Sequence, residues 1–177
     1  TKPRPCSTPT AASSAWRSIE RRTCLMHYII ASAFVAALQA QVLLQELNAA
    51  LTAITGDSGQ SSFSENDMAA PGACFVLANT TDGLVVGCGA LRPLQPGVAE
   101  LKRMYARPGW PGLGAALLKY LEQQAQHMAY HSVRLETRAI NTRAVRFYER
   151  HGYLRIPNYG KYAEQAQALC FEKSLCL

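Results

Sequence analysis

Leu43, Leu47, Leu51 and Ile54 recur at spacings of four, four and three, the stripe of a helix buried along one side. The periodicity predicts a long helix that begins near Ser32 and stops at Gly56, with a short strand, His27 to Ile30, ahead of it. Residues 56–72 are polar and carry Gly and Ser, so they read as a connection or a short irregular helix. Two apolar runs follow, Cys74 to Ala78 and Leu84 to Leu91. The segment between them, Asn79-Thr80-Thr81-Asp82-Gly83, carries an Asp-Gly pair that marks a hairpin turn. Pro96-Gly97 turns the chain again into Val98 to Ala106, so three consecutive strands are expected. Helical spacing returns at Leu113, Leu117, Leu121 and Met128, and Ser132 to Thr137 makes another strand. Asn141 is placed to cap a further helix and Gly152 to end it, before the last strands at Leu154 to Ile156 and Leu169 to Lys173. A meander followed by strand–helix alternation predicts an α/β fold with a central sheet of mixed direction and helices on both faces.

Length and charge refine this picture. A chain of 177 residues fits one domain, here residues 26–177. The net charge is +6, but Lys2, Arg4, Arg17, Arg21 and Arg22 against Glu20 place four of those charges within residues 1–25. That basic segment, rich in Ser, Thr and Pro, reads as a disordered extension, a transit-like segment, or sequence ahead of a start at Met26, the reading we favour. The rest carries no basic face interleaved with aromatics, so nucleic-acid partners are not expected. No apolar run approaches the ~18 residues of a membrane span. The six cysteines lack Cys-x-x-Cys spacing, so no metal site is expected, and Cys74, Cys88 and Cys170 sit in apolar runs as buried thiols suited to a reducing, cytoplasmic compartment. The histidines show neither ligand spacing nor a nucleophile partner, and no Gly-x-Ser-x-Gly elbow supports a hydrolase.

One motif points to chemistry. Pro108-Gly109-Trp110-Pro111-Gly112-Leu113-Gly114-Ala115 opens the helix that follows the strand Glu100 to Ala106. Glycines there let backbone approach a ligand, and the free N–H groups of Gly112, Leu113, Gly114 and Ala115 at a helix start favour a phosphate. The order Gly-x-x-Gly-x-Gly, with no acidic residue closing a following strand at the required distance, fits a dinucleotide-binding oxidoreductase poorly. With Glu100-Leu101-Lys102-Arg103-Met104-Tyr105 before the glycines, and Asn141, Ala144, Phe147-Tyr148 and Gly152-Tyr153 after them, the chain from Met26 onward resembles the GCN5-related N-acetyltransferase (GNAT) superfamily.

The resemblance implies a mixed, mostly antiparallel sheet flanked by helices, with acetyl-CoA as co-substrate and no metal. It implies that the glycine loop holds the pyrophosphate of coenzyme A, and that the strand backbone at Met104, Tyr105 and Ala106 receives the pantetheine arm. Asn141 would stand beside the cofactor. It implies Glu100 as the base that deprotonates the acceptor amine, with Glu136 as the competing carboxylate, and Tyr148 as the acid that protonates the leaving thiolate. Alternation along Val98 to Ala106 puts Glu100 on one face with Lys102 and Met104, and Asn141, Val145 and Tyr148 share one helix face. The loop departs from the superfamily pattern Arg/Gln-x-x-Gly-x-Gly/Ala, because Gly109 stands at the Arg/Gln position, Pro111 lacks an N–H, and the loop is about two residues short. One donor and one side-chain contact fewer predict weaker cofactor binding by ~1 to 3 kcal/mol. Arg107 is either a partial replacement or a solvated strand-end charge. The expected activity is transfer of an acetyl group to the primary amine of a small molecule, the alternative being a non-catalytic or degenerate acyl-CoA-binding protein. Superfamily members often form homodimers through a sheet edge or the last strands, which no pattern in this chain decides.

Overall fold

The computed structural model describes residues 28–175, so the basic extension and His27 lie outside the described residues. The elements run β1 (Tyr28–Ser32), α1 (Leu38–Thr55), β2 (Cys74–Thr80), β3 (Val85–Gln95), β4 (Val98–Ala106), α2 (Leu113–His127), β5 (Ser132–Arg138), α3 (Thr142–Arg150), β6 (Leu154–Ile156) and β7 (Ala168–Ser174). The strands form one seven-stranded sheet in the order β1-β2-β3-β4-β5-β7-β6. Every neighbouring pair is antiparallel except β4 and β5, which are parallel and joined through α2. The mixed, mostly antiparallel sheet is therefore as expected. Helices cover both faces. Ala40, Leu43 and Leu44 of α1 pack on Phe75, Leu77, Cys88 and Ala90, whereas Leu113, Leu117, Leu118 and Leu121 of α2 pack with Tyr148 of α3 on Val76, Val86, Leu91 and Leu101.

Turn chemistry explains the meander. Gly83 takes φ 87° and donates its N–H to the Thr80 carbonyl, while Gly97 at φ 74° closes the β3–β4 turn. Gly56 ends α1 at φ 77° with its N–H on the Thr52 carbonyl. The start of α1 differs from the periodicity. Ser32 belongs to β1, whose five residues pair with β2, so the helix begins at Leu38. Leu43 and Leu47 are buried as the stripe requires, but Ile54, in the last turn, is 46% exposed.

The decisive irregularity is in β4. Ala106 and Tyr105 face Gly87 and Cys88, but Lys102 faces Ala90, so Arg103 and Met104 together oppose Gly89. Arg103 adopts φ 55°, a left-handed conformation that costs a non-glycine residue about 1 kcal/mol or more. This β-bulge resets the alternation. Glu100 and Lys102 remain on one face, but Met104 moves to the α2 face, correcting the expectation that all three lie together. A Cβ on Gly89 would stand 2.6 Å from Leu121 Cδ1 and 2.9 Å from Met104 Sδ, so α2 and the displaced methionine both depend on glycine there.

Candidate active site

β4 and β5 pair only from Val98 to Glu100 against Ser132 to Arg134. Past that point they diverge, and β4 from Leu101 to Ala106 has no strand partner on its β5 side among the described residues. A cleft of about 280 Å³ opens between them. Its walls carry Lys102, Arg103 and Met104 from β4, Glu136, Thr137 and Arg138 from β5, and Asn141, Ala144 and Tyr148 from α3. Leu47 and Leu51 of α1, Asp57, Gly59 and Ser62 of the connection after it, and Lys161 and Tyr162 of the turn Gly160–Tyr162 complete it. The polar segment after α1 thus lies against the cleft.

At the start of α2, Gly112 is the N-cap residue at φ 81°, and the first intrahelical bond runs from Ala116 N–H to its carbonyl. The N–H groups of Gly112, Gly114 and Ala115 have no acceptor among the described residues, as a helix start requires. Leu113 differs from expectation: its N–H donates to the Trp110 carbonyl at 3.3 Å and its side chain is fully buried. Arg107 is neither a solvated charge nor free to face a phosphate. It donates to Glu46 at 2.9 and 2.6 Å and to the Val85 carbonyl at 2.5 Å, clasping α1 to the sheet. This pairing holds the Glu46 carboxyl below its usual range.

Asn141 caps α3, its Oδ1 accepting the Ala144 N–H at 3.2 Å, and lines the cleft. Its cleft-lining companions are Ala144 and Tyr148, while Val145 packs into the core, so the face is displaced by one residue from the predicted one. Tyr148 is buried by edge-on contacts with Phe147 and Tyr153, ring centroids 5.2 and 5.6 Å away, yet it borders the cleft. Its hydroxyl makes no hydrogen bond among the described residues. Burial, and then the negative charge of Glu136, push its pKa above the usual tyrosine range, so the phenol keeps its proton.

The two carboxylates have different surroundings. Glu100 is 1% exposed and absent from the cleft wall. Arg92 donates to its Oε2 from Nε at 2.8 Å and Nη2 at 2.5 Å, Tyr159 donates to Oε1 at 3.0 Å, and Lys102 Nζ stands 3.8 Å away. Both oxygens are therefore committed. Glu136 lines the cleft, and its buried Oε1 accepts no hydrogen bond, Arg138 Nε being 3.9 Å distant. Burial lifts the Glu136 pKa above the ordinary carboxylate range, against the pull of Lys102 and Arg138.

Beyond the residues singled out from the sequence, the structure brings Lys102, Arg103 and Tyr162 into the cleft. Arg103 donates to Asn48 Oδ1 at 3.0 Å and to the carbonyls of Ser58 and Gly59 at 3.2 and 2.6 Å, tying the connection after α1 to the bulge. The signal for Lys102 and Arg103 was three charges among Glu100-Leu101-Lys102-Arg103 in a strand that helices cover on both faces, where each charge needs a partner, whereas no local pattern marks Tyr162. Among the described residues no helix is long and apolar enough to cross a membrane, and no group of His, Cys, Asp and Glu could hold a metal ion.

Comparison with known proteins agrees with this geometry. The chain is 31% identical over 111 residues to an IAA acetyltransferase of Azospirillum brasilense, a match covering 61% of this chain and 72% of that protein. It is 35% identical over 86 residues to an uncharacterized N-acetyltransferase of Schizosaccharomyces pombe, covering 47% of this chain and about half, 53%, of that one. Among solved structures, a protein provisionally described as an acyl-CoA N-acyltransferase from Klebsiella pneumoniae superposes with a TM-score of 0.72 at 25% identity, over 85% of this chain and 99% of that one. A GNAT-family acetyltransferase from Staphylococcus aureus shares the fold at a TM-score of 0.68 and 18% identity, over 85% of this chain and all of that one. Residues 40–153, from α1 through the Gly-Tyr that follows α3, match the family model itself, and the chain belongs to the acetyltransferase (GNAT) family.

Proposed function

We propose that this protein is an N-acetyltransferase that moves the acetyl group of acetyl-CoA to the primary amine of a small molecule by direct attack, without an acyl-enzyme. The carrying observation is that one cleft presents an unpaired strand edge, a carboxylate at Glu136 whose buried Oε1 accepts no hydrogen bond, and a phenol at Tyr148 with no hydrogen bond among the described residues. The residues fit the co-substrate: the open β4 edge from Met104 to Ala106 has backbone groups for an amide-bearing arm, and Gly112, Gly114 and Ala115 offer N–H donors to a pyrophosphate. Asn141 and Ala144 would flank that arm.

Acetyl-CoA, when bound, supplies an activated acyl thioester. Glu136, its carboxylate made more basic by burial, accepts a proton from the acceptor ammonium and leaves the nitrogen lone pair free to attack. Tyr148, held protonated by burial, gives its proton to the departing sulfur. Glu100, the residue that the family resemblance suggests as base, contributes differently in this reading. Its charge is balanced by Arg92, and it steadies the Lys102 ammonium behind the cleft. The loop departures at Gly109 and Pro111, with the Leu113 N–H already satisfied, favour a second reading as an acyl-CoA binder without turnover.

Titration calorimetry with acetyl-CoA, followed by release of free thiol in the presence of an amine panel, separates the two. Saturable binding with turnover supports the enzyme. Binding without turnover across the panel supports the binder, and absence of binding at millimolar acetyl-CoA overturns both.

A further inference from the structure

Resting on the transferase reading, we propose that the acceptor is an amine that also carries a carboxylate a few bonds from its nitrogen, and that Lys102 is the residue that binds this carboxylate. Three observations meet at this point. The Lys102 side chain is 7% exposed, yet it borders the cleft. Its Nζ donates one hydrogen bond, to the Tyr162 hydroxyl at 2.8 Å, while Glu100 at 3.8 Å lies beyond hydrogen-bond reach. An ammonium has three donors, so two have no acceptor among the described residues.

Charge accounting points the same way. Glu100 holds the two-pronged contact from Arg92, which also pairs with Asp67 at 2.8 Å, so Lys102, 3.8 Å from Glu100, shares that carboxylate's charge with a nearer cation and has no hydrogen-bonded carboxylate of its own. On the cleft wall Lys102, Arg103, Arg138 and Lys161 face Asp57 and Glu136. Arg138 pairs with Asp57 at 3.0 Å and Arg103 is held by neutral oxygens, so the wall keeps a positive surplus. That surplus stands apart from the start of α2, whose residues do not line this space, so the coenzyme phosphates do not neutralise it. Lys102 and Lys161 also sit over the Tyr162 ring, 5.4 and 5.6 Å from its centroid, both cations attached to one aromatic wall. A simple alkylamine, entering as a cation, meets repulsion here. An amine with its own carboxylate enters without net charge, offers its anionic end to Lys102 and leaves its ammonium to Glu136. Lys102 on β4 and Glu136 on β5 share the cleft wall and lie near enough for each charge to shift the other's titration, which a short spacer between the two groups suits.

The test uses matched acceptors, each amino acid of the series glycine, β-alanine and γ-aminobutyrate against its own carboxamide and the corresponding alkylamine. At least one amino acid is expected to exceed its carboxamide by about tenfold or more in kcat/KM, the effect of one charge-assisted hydrogen bond. Lys102→Gln, and Lys102→Met as a second variant without donors, are expected to raise KM for that amino acid by about ten- to a hundredfold and to shrink the preference over the carboxamide at least fivefold. An acetyl-CoA isotherm on each variant reports whether its fold and donor site are intact. Wild-type enzyme that binds acetyl-CoA but prefers the alkylamine or carboxamide, or acetylates none of the series, overturns the proposal while leaving the donor site standing. Variants that lower amino acid and carboxamide equally also overturn it. Failure of the wild type to bind acetyl-CoA removes the transferase reading instead, and the proposal with it.

Discussion

In the transferase reading, the donor region at the start of α2 and the cleft beside it are built from different materials. At the start of α2 the groups on offer are backbone: the N–H groups of Gly112, Gly114 and Ala115 and the unpaired edge of β4. In the cleft they are side chains, Glu136, Lys102, Tyr162 and Arg103, drawn from segments up to sixty residues apart, of which Tyr162 and Lys102 join the network of Glu100, Arg92 and Asp67. A backbone site tolerates most sequence change because every residue but proline carries the same N–H, so Gly109 can stand where the family has another residue, whereas Pro111 removes one donor. A side-chain site has no such tolerance, since a buried charge that loses its partner costs several kcal/mol. In the transferase reading, the donor region can therefore keep one ligand while the acceptor cleft changes with each charge.

The sharpest break of that contrast is Glu136→Gln. Loss of a positioned base is expected to lower kcat/KM about 10²- to 10⁴-fold while acetyl-CoA binding stays within about twofold. Wild-type kcat/KM should rise with pH as Glu136 loses its proton, above the ordinary carboxylate value of about 4.3, and the Gln variant should lack that limb. Stability moves the other way. Because burial raises this pKa in the folded state, the charged carboxylate weakens the fold above it, and the penalty fades as pH falls and the proton is taken up. Glu136→Gln should accordingly melt no lower than wild type at pH 8.

Glu100→Gln tests the opposite assignment. It leaves Arg92 and Lys102 facing a neutral group in a buried network, and about 3 kcal/mol of stability should be lost, read as a drop in urea midpoint. A Glu100 variant that melts normally but loses its pH-dependent limb would reverse the roles given to the two carboxylates. Tyr148→Phe comes next, with kcat expected to fall about a hundredfold and acetyl-CoA affinity retained, since its ring contacts persist and only the proton donor is gone. An unchanged kcat would favour the non-catalytic reading. Smaller still is Gly89→Ala, whose Cβ would collide with Leu121 and Met104. About 1 to 3 kcal/mol of stability should be lost in thermal melting, with the bulge at Arg103 the feature displaced.

Much of the scaffold was legible in the chain. The Asp82-Gly83 and Pro96-Gly97 turns, the caps at Asn141, Gly56 and Gly152, and the stripes of α1 and α2 are local rules, each decided by a few neighbouring residues. Part of the candidate site was equally readable, since Asn141 and Tyr148, which both line the cleft, are spaced within one helix. The start of α1 was misplaced because Tyr28–Ser32 is held by pairing with β2, a partner some fifty residues away.

What the sequence determined by itself is thus the order of elements and the mixed sheet, which follow from periodicity and turn chemistry, and the family resemblance, which its motif residues carry. Only the tertiary structure decided which carboxylate faces the cleft. One bulge at Arg103 resets the faces of β4 beyond Lys102, and Arg92, from the neighbouring strand, occupies Glu100 while the buried Oε1 of Glu136 accepts no hydrogen bond. A residue's alternation along a strand can be counted from the sequence. Its charge partners cannot, because burial and electrostatic pairing depend on distances between segments that the chain brings together only on folding.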